Sequence, residues 1–302
     1  MKKAIKNMAA SIHQRLLNEA NSQDRRFNEL LQFYAMERFI YRLSCSEHAE
    51  KFILKGAMML RVWQAATSRP TMDIDLLGRS IHDMEQLVVM MKDVCQTSVD
   101  DDGLEFFADE AVGEEITKDG DYKGVRVRFG GVLGQARIKI QIDVGFGDVV
   151  YPEARKEELT TILEMPRPNL MCYSRESVIA EKFEAMIKLG ELNSRMKDFH
   201  DIWLLAMHYD FEGSKLGEAI KRTFAKRKTI FPVEIIAFSD DFPTLKDLEW
   251  TAFRRKMQVD SIPNEFSEII EVIMRFLIPI VKSIEADVAF QHDWKDGCWK
   301  DI

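Results

Sequence analysis

The sequence predicts an α+β protein in which a mixed-sheet core is followed by a mainly helical lobe. Three observations lead to this fold class. Phe52 to Leu54 is a short apolar run that meets a glycine and is followed by apolar residues at helical spacing. Residues 122–129 and 137–144 alternate apolar and polar side chains, as half-buried strands do. Beyond residue 174, apolar residues recur at helical spacing as far as residue 285.

The predicted elements, taken in order, divide the chain into three parts. Residues 1–50 form two helices, separated near residue 21, that pack on the core. Residues 51–165 form the α/β core, in which Ser80 caps a helix and the glycines at 130, 131 and 134 mark a turn after the strand that ends at Phe129. Residues 166–302 form the helical lobe, whose first helix begins after Ser174 and ends at Gly190. The tail with its two tryptophans receives no predicted element.

Composition argues against some classes of protein. The 302 residues are 46% apolar and 30% charged, and the formal net charge is −8. This acidic balance argues against general affinity for nucleic acid but leaves room for a local basic groove. The four cysteines are widely scattered, which predicts buried, reduced thiols. The longest late apolar run, Val272 to Val281, is too short to span a bilayer, so we predict a cytoplasmic protein with no membrane partner.

Two carboxylates and one glycine form the centre of the predicted site. Asp73 and Asp75 lie two apart in a predicted strand, and alternate residues of a strand share a face. Because adjacent like charges repel, the pair predicts a bound Mg²⁺ or Mn²⁺, which prefers carboxylate and phosphate oxygens. Upstream, Lys55, Gly56 and Ala57 join a strand to a helix start, where backbone N–H groups suit a phosphate. The alternative is a solvated aspartate pair on an edge strand.

Further polar residues follow later in the chain. Asp143 is on a predicted strand and offers the third carboxylate of a two-metal site, or is an exposed strand residue. Lys182 emerges from an apolar helical stripe, so its ammonium either reaches solvent or meets triphosphate oxygens in a cleft. Asp198 and Asp201 are neighbours on the next helix, where acidic residues are commonly just favourable to the helix dipole.

Several spaced motifs carry a family resemblance. They are Lys55-Gly56-Ala57, Arg69-Pro70-Thr71-Met72-Asp73-Ile74-Asp75, Ile142-Asp143-Val144, Ala180-Glu181-Lys182 and Asn193-Ser194-Arg195-Met196-Lys197-Asp198-Phe199-His200-Asp201. Together they resemble the AbiEii/AbiGii-type nucleotidyltransferase toxin family over residues 52–205. The resemblance implies a polymerase-beta-like nucleotidyltransferase fold. It also implies that the protein is the toxin of a toxin–antitoxin or abortive-infection system. Some members of the family transfer nucleotides to tRNA.

The resemblance also implies roles for individual residues. Gly56, with Lys55, borders the phosphates, and Ala57 stands where the family often has glycine or serine, so no hydroxyl is available there. The predicted metal ligands are Asp73, Asp75 and Asp143. Lys182 matches the motif lysine, and the acidic motif is matched by Asp198 and Asp201. Arg195 and Lys197 join Lys182 as predicted contacts to the nucleotide.

These assignments predict a Mg-dependent enzyme that transfers NMP from an NTP to an RNA acceptor, with the tRNA 3′ end as the expected site. It would be the toxin of a type IV toxin–antitoxin or abortive-infection system, with an antitoxin acting genetically or indirectly. Three alternatives stay open. They are a D-x-D sugar-nucleotide glycosyltransferase, a kinase-like phosphoryl transferase and a catalytically silent nucleotide-binding protein.

Overall fold

The computed structural model describes residues 7–63, 71–79, 83–118, 122–257 and 262–301. It contains two compact units, which are described separately. The first comprises residues 1–64, 68–147 and 155–172, and the second comprises residues 65–67, 148–154 and 173–302, within the described ranges. Arg69, Pro70 and Ser80, which the sequence analysis singled out, lie outside those ranges.

The first unit holds four α-helices and eight strands among its described residues. The helices are α1 (Met8–Ser22), α2 (Phe27–Cys45), α3 (Met59–Val62) and α4 (Met84–Gln96). The strands are β1 (Phe52–Lys55), β2 (Ile74–Gly78), β3 (Leu104–Phe106), β4 (Val112–Lys118), β5 (Tyr122–Leu133), β6 (Ala136–Phe146), β7 (Arg155–Glu158) and β8 (Asn169–Cys172). The two N-terminal helices therefore form as predicted.

All eight strands belong to one mixed sheet. The order is β3-β5-β6-β2-β1-β8-β7, and β4 pairs with another stretch of β5. Strand β2 is parallel to β6 and antiparallel to β1, whereas β5 and β6 form an antiparallel hairpin. This mixed sheet with helices confirms the α+β class and agrees with the fold that the family resemblance implies.

The predicted alternation on the central strands is confirmed. Four even-numbered residues of the central strands have no exposed surface, namely Ile74 and Leu76 of β2 and Ile142 and Val144 of β6. Their odd-numbered neighbours project from the opposite face of the sheet, because side chains alternate along a strand. Helix α2 packs on this sheet through a long buried stretch. Apolar burial at the centre of the sheet therefore holds the polar face of β2 and β6 in a defined position.

Three local predictions were wrong. Strand β5 continues through Gly130 and Gly131 to Leu133. An added Cβ on Gly131 would lie 2.8 Å from the Glu105 carbonyl oxygen, so the absence of a side chain at Gly131 is what lets β3 pair with β5 there. The turn comes at Gly134. The predicted helix after Gly56 is only a 3₁₀ turn followed by the four-residue α3, which is too short for a strong dipole. Asp83, and not the predicted Ser80, is the N-cap of helix α4, and its side chain accepts a hydrogen bond from the Glu85 N–H.

The second unit is mainly helical. Its helices are α5 (Arg175–Leu189), α6 (Met196–His208), α7 (Gly213–Arg227), α8 (Phe242–Leu245), α9 (Asp247–Met257) and α10 (Phe266–Glu285). The predicted first helix is confirmed, since the Ser174 side chain caps α5 and Gly190 ends it with a φ of 49°. None of the helices among the described residues is long and apolar enough to cross a bilayer.

A small sheet, which the sequence analysis missed, lies in the second unit. It consists of β9 (Phe211–Glu212), β10 (His292–Lys295) and β11 (Cys298–Asp301) in the order β11-β10-β9. Asp296 and Gly297 both have positive φ angles, which suit the tight turn between the last two strands. Trp294 is buried and donates its indole N–H to the Ala206 carbonyl at 2.6 Å. The tail is thus part of the core of this unit.

The cysteines are free, but the prediction that they are buried holds for only two of them. Cys95 and Cys172 are buried, and burial raises the pKa of each thiol to about 12. Cys45 and Cys298 are exposed.

Candidate active site

A row of charged residues crosses five neighbouring strands of the first unit. Lys55 of β1 is the register partner of Asp75 of β2, which is the partner of Asp143 of β6. Asp143 in turn pairs with Arg126 of β5, and Arg126 with Glu114 of β4. Residues directly opposite one another in adjacent strands project to the same face of a sheet. The row therefore places two carboxylates side by side, with a cation on either side of them.

Asp73 lies one residue before β2, not within the strand as predicted. The Thr71 hydroxyl donates a hydrogen bond to its Oδ1 at 2.8 Å. Asp73 and Asp75 are both half-buried, and the side chain of Ile74 between them is fully buried. The two carboxylates thus retain access to a ligand while the intervening residue anchors them to the core.

Gly56 determines where the Asp75 carboxylate lies. Its φ is +72°, and an added Cβ would stand 2.1 Å from Asp75 Oδ2. The side chain of Asp75 therefore occupies the space that any other residue at position 56 would fill. This is a different reason for the glycine from the close approach of a phosphate that the sequence suggested. The contact of Gly56 with phosphate stays a prediction, as do those of Lys55 and the buried Ala57.

Asp143 is engaged by an arginine. The residue is 2% exposed, and its carboxylate accepts two hydrogen bonds from Arg126, one from Nε at 2.7 Å and one from Nη2 at 2.8 Å. The hydrogen bond to Asp143 and the nearby Asp143, Glu114 and Asp73 carboxylates raise the pKa of Arg126 despite its partial burial. Arg126 thus lies within electrostatic range of Asp73 as well.

Sequence analysis missed Arg126, since it treated the residue only as the polar side of an alternating strand. A signal was present. A two-residue turn at Gly134 and Gln135 sets the register of the β5–β6 hairpin and pairs Arg126 with Asp143. Placing that turn correctly, rather than at Gly130, would have shown the pair.

The remaining predicted site residues lie in the second unit, on α5 and near the start of α6. Lys182 Nζ is 2.7 Å from Asp198 Oδ1 and 2.8 Å from Asp201 Oδ2. Arg195 Nε is 2.6 Å from Asp198 Oδ2, and Lys197 is exposed in the first turn of α6. The structure thus brings Lys182 together with both aspartates, which are buried rather than solvated at a helix end.

The Asp198 carboxylate is ionised in this cluster. Burial opposes its charge, but the Lys182 and Arg195 cations outweigh burial and hold the pKa of Asp198 below its ordinary value. The Lys182 ammonium is held by two buried carboxylates and its side chain is only 12% exposed, so it does not extend into solvent as one of the two sequence interpretations expected. Its contact with triphosphate oxygens stays a prediction.

The donors of Asp73 and Asp75 fit a divalent cation. Mg²⁺ is usually held by one or two carboxylates together with substrate phosphates, and these two half-buried carboxylates match that donor set. Among the described residues, one group of three ligand atoms lies within 4.8 Å of one another, from Glu47, His48 and Asp93. In that group both His48 ring nitrogens are engaged, one by Asp93 and one by Lys51, each at 3.0 Å. That group therefore does not match a metal site.

Comparison with known proteins identifies the family. The model of the family described as nucleotidyl transferase AbiEii toxin, type IV TA system, matches residues 38–272. The chain belongs to the AbiEii nucleotidyltransferase toxin family. As an AbiEii-family member it is a nucleotidyltransferase, and the resemblance stated from its motifs is confirmed. The matched range includes every site residue named above.

Two solved structures are similar to this AbiEii-family chain. One is of a nucleotidyltransferase candidate from H. pylori, 12% identical, with a TM-score of 0.40 and coverage of 75% of this chain and 96% of the other. The second is JHP933 from Helicobacter pylori, 14% identical, with a TM-score of 0.43 and coverage of 85% and 97%. A comparison with curated proteins gave no match.

Proposed function

We propose that this AbiEii-family protein transfers a nucleoside monophosphate from an NTP to the 3′ end of an RNA, with tRNA as the acceptor. One observation carries the proposal. It is the placement of Asp73 and Asp75 at the start of β2, half-buried and next to the Asp143–Arg126 pair, on a face held in place by the buried core. We further propose that Asp73 and Asp75 hold Mg²⁺ or Mn²⁺.

The chain's own residues would position the reacting groups. Thr71 orients Asp73 and the backbone of Gly56 makes room for Asp75, so both carboxylates are preorganised before a ligand arrives. When bound, the metal would neutralise charge on the NTP phosphates and favour ionisation of the attacking hydroxyl. Preorganised electrostatics of this kind supplies most of the catalysis in phosphoryl and nucleotidyl transfer. The product would be RNA extended by one nucleotide, with pyrophosphate released.

The roles of the other predicted residues belong to the same proposal. Lys182, whose ammonium is oriented by Asp198 and Asp201, is proposed to contact the NTP phosphates. Arg195 and Lys197 are proposed nucleotide contacts. Asp143, which the sequence analysis predicted as a third metal ligand, is held by Arg126, so we place the metal on Asp73 and Asp75. In the cell, RNA modification would arrest growth, and an antitoxin would relieve it genetically or indirectly.

The test incubates the protein with Mg²⁺, total tRNA and each α-labelled NTP in turn, beside Asp73→Asn and Asp75→Asn. Exposed Asp109→Asn is the matched control. We expect label in RNA with the unmodified chain and the control, and at least about a 100-fold loss in either site variant, because electrostatic stabilisation of the transition state is removed. Full activity of Asp73→Asn would exclude the proposed site.

The same assay separates the alternative activities. A kinase-like enzyme would transfer label from a γ-labelled NTP instead of an α-labelled one, and a glycosyltransferase would consume UDP-sugar while leaving the NTPs unchanged. Retained NTP binding without any product would indicate a silent binding protein.

A further inference from the structure

Arg126 contacts carboxylates on both of its neighbouring strands in the charged row. Its guanidinium makes two parallel hydrogen bonds to Asp143, while Nη1 lies 3.9 Å from Glu114 Oε1. Glu114 is itself held by Arg128 at 2.9 Å. Two-pronged arginine–carboxylate pairs are the strong, geometrically specific kind of ion pair, and here the acceptor is almost fully buried. The pair is therefore a fixed feature of this face, not a transient surface contact.

Asp143 and Asp75 need a compensating charge. They are register partners on the parallel strands β2 and β6, so their side chains leave the sheet side by side. A buried carboxylate with no counter-charge is strongly unfavourable. Arg126 supplies one positive charge to Asp143, which a second metal ion would otherwise have to supply in a site with three metal-binding carboxylates. Both Asp143 oxygens already accept hydrogen bonds from it.

We propose that Arg126 is a positioning residue that stands in for a second divalent cation. By neutralising Asp143 beside Asp75, it leaves a site that binds one divalent ion, through Asp73 and Asp75. This inference rests on the proposed function, since it takes the metal pair from it. It assigns Arg126 a role in setting the metal count of the site, and Asp143 the role of anchoring Arg126.

The test is a Mn²⁺ titration followed by the EPR signal of free Mn²⁺, without nucleotide or RNA, so that no turnover enters the result. The site's ions are those lost in Asp73→Asn and Asp75→Asn. We expect one such ion in the unmodified chain. Arg126→Gln should bind a second ion, or bind the first at least about tenfold tighter, because the positive charge that faces Asp143 next to Asp75 is removed and the site becomes more negative.

Arg128→Gln is the matched control. It removes an arginine two residues away on the same strand that also pairs with Glu114, but not with Asp143. We expect its Mn²⁺ titration to equal that of the unmodified chain. A double variant, Arg126→Gln with Asp143→Asn, keeps the test informative if Arg126→Gln alone does not fold, since the neutral amide at position 143 needs no counter-charge. It should return to one ion, with affinity within about twofold of the unmodified chain.

The outcomes separate this inference from the proposed function. If Arg126→Gln binds Mn²⁺ as Arg128→Gln does, the inference is wrong and the Asp73–Asp75 metal site stands. Two aspartate-dependent ions in the unmodified chain would also overturn it, as would a double variant that binds like Arg126→Gln alone. The absence of any aspartate-dependent ion would remove the proposed metal site and the inference together.

Discussion

At the scale of single residues, the position of Asp75 depends on what its neighbours lack. Gly56 has no side chain, and the Asp75 carboxylate fills the space that remains. Thr71 and Arg126 then restrain the adjacent carboxylates through direct hydrogen bonds. The site is thus preorganised by small local constraints, each of which a single substitution removes.

We expect Gly56→Ala to lower both stability and metal binding. Its positive φ alone costs about 1–2 kcal/mol for a residue with a Cβ, and the added methyl must also displace Asp75, from which it would stand 2.1 Å. Chemical denaturation and Mn²⁺ titration measure the two effects.

Gly297→Ala is the matched control for this prediction. Gly297 also has a positive φ, of +74°, but nothing lies within 4 Å of its added Cβ. The Gly297→Ala variant should therefore lose only the stability that the positive φ costs, about 1–2 kcal/mol, and should bind Mn²⁺ as the unmodified chain does. Equal stability losses and unchanged Mn²⁺ binding in both variants would show that Gly56 does not position Asp75.

At the scale of elements, α5 and α6 are joined by a buried ionic cluster. Lys182 from α5 meets Asp198 and Asp201 from α6, and both aspartates are about 1% exposed. Asp201 Oδ1 is also 3.1 Å from Nδ1 of the fully buried His200. Removing one partner from such a cluster leaves buried charge that the remaining partners compensate only in part, which costs far more than losing a surface pair.

We expect Lys182→Met to destabilise the folded chain by about 3–5 kcal/mol, since it leaves two buried carboxylates without their ammonium. Denaturant unfolding followed by far-UV circular dichroism measures this. Lys221→Met is the control, because Lys221 pairs with Asp287 on the surface and should contribute less than about 1 kcal/mol. Similar losses in the two variants would contradict the buried role of Lys182.

At the scale of the whole molecule, one buried carboxyl makes stability depend on pH. Glu37 of α2 is fully buried, accepts a hydrogen bond from the Ile162 N–H at 2.8 Å and lies 2.9 Å from Arg38. Burial raises its pKa from 4.5 to about 7, although Arg38 and the Ile162 N–H oppose the shift. The folded chain thus holds this proton more tightly than the unfolded chain.

Glu37 stabilises the folded chain at acidic pH. Because the folded state retains more protons between about pH 4.5 and 7, this group's stabilising contribution is complete below that range and is lost as the pH rises through it. The shift corresponds to roughly 3 kcal/mol. We expect Glu37→Gln, which is neutral at every pH, to remove this fall. The measurement is the unfolding free energy from pH 5 to 8, and equal slopes in both proteins would contradict it.

Much of the fold was accessible from sequence patterns, because burial periodicity is local. The alternation of Ile138, Ile140 and Ile142 predicted the buried face of β6, and Ser174 and Gly190 marked both ends of α5. The C-terminal hairpin was missed because two short strands around Trp294 carry little periodic signal. Its main partners, such as the Ala206 carbonyl, are remote in sequence.

The α+β class, the family, and the acidic, glycine and lysine motifs can be read from the amino-acid sequence, since spacing and residue type are properties of neighbouring positions. Which charged side chains contact one another follows from the three-dimensional fold. The register of β2, β6 and β5 places Asp75 beside Asp143 and pairs Asp143 with Arg126. The packing of α5 on α6 brings Lys182 into contact with Asp198 and Asp201. Charge pairing across strands and helices depends on which distant segments come together, and periodicity within one segment does not contain that information.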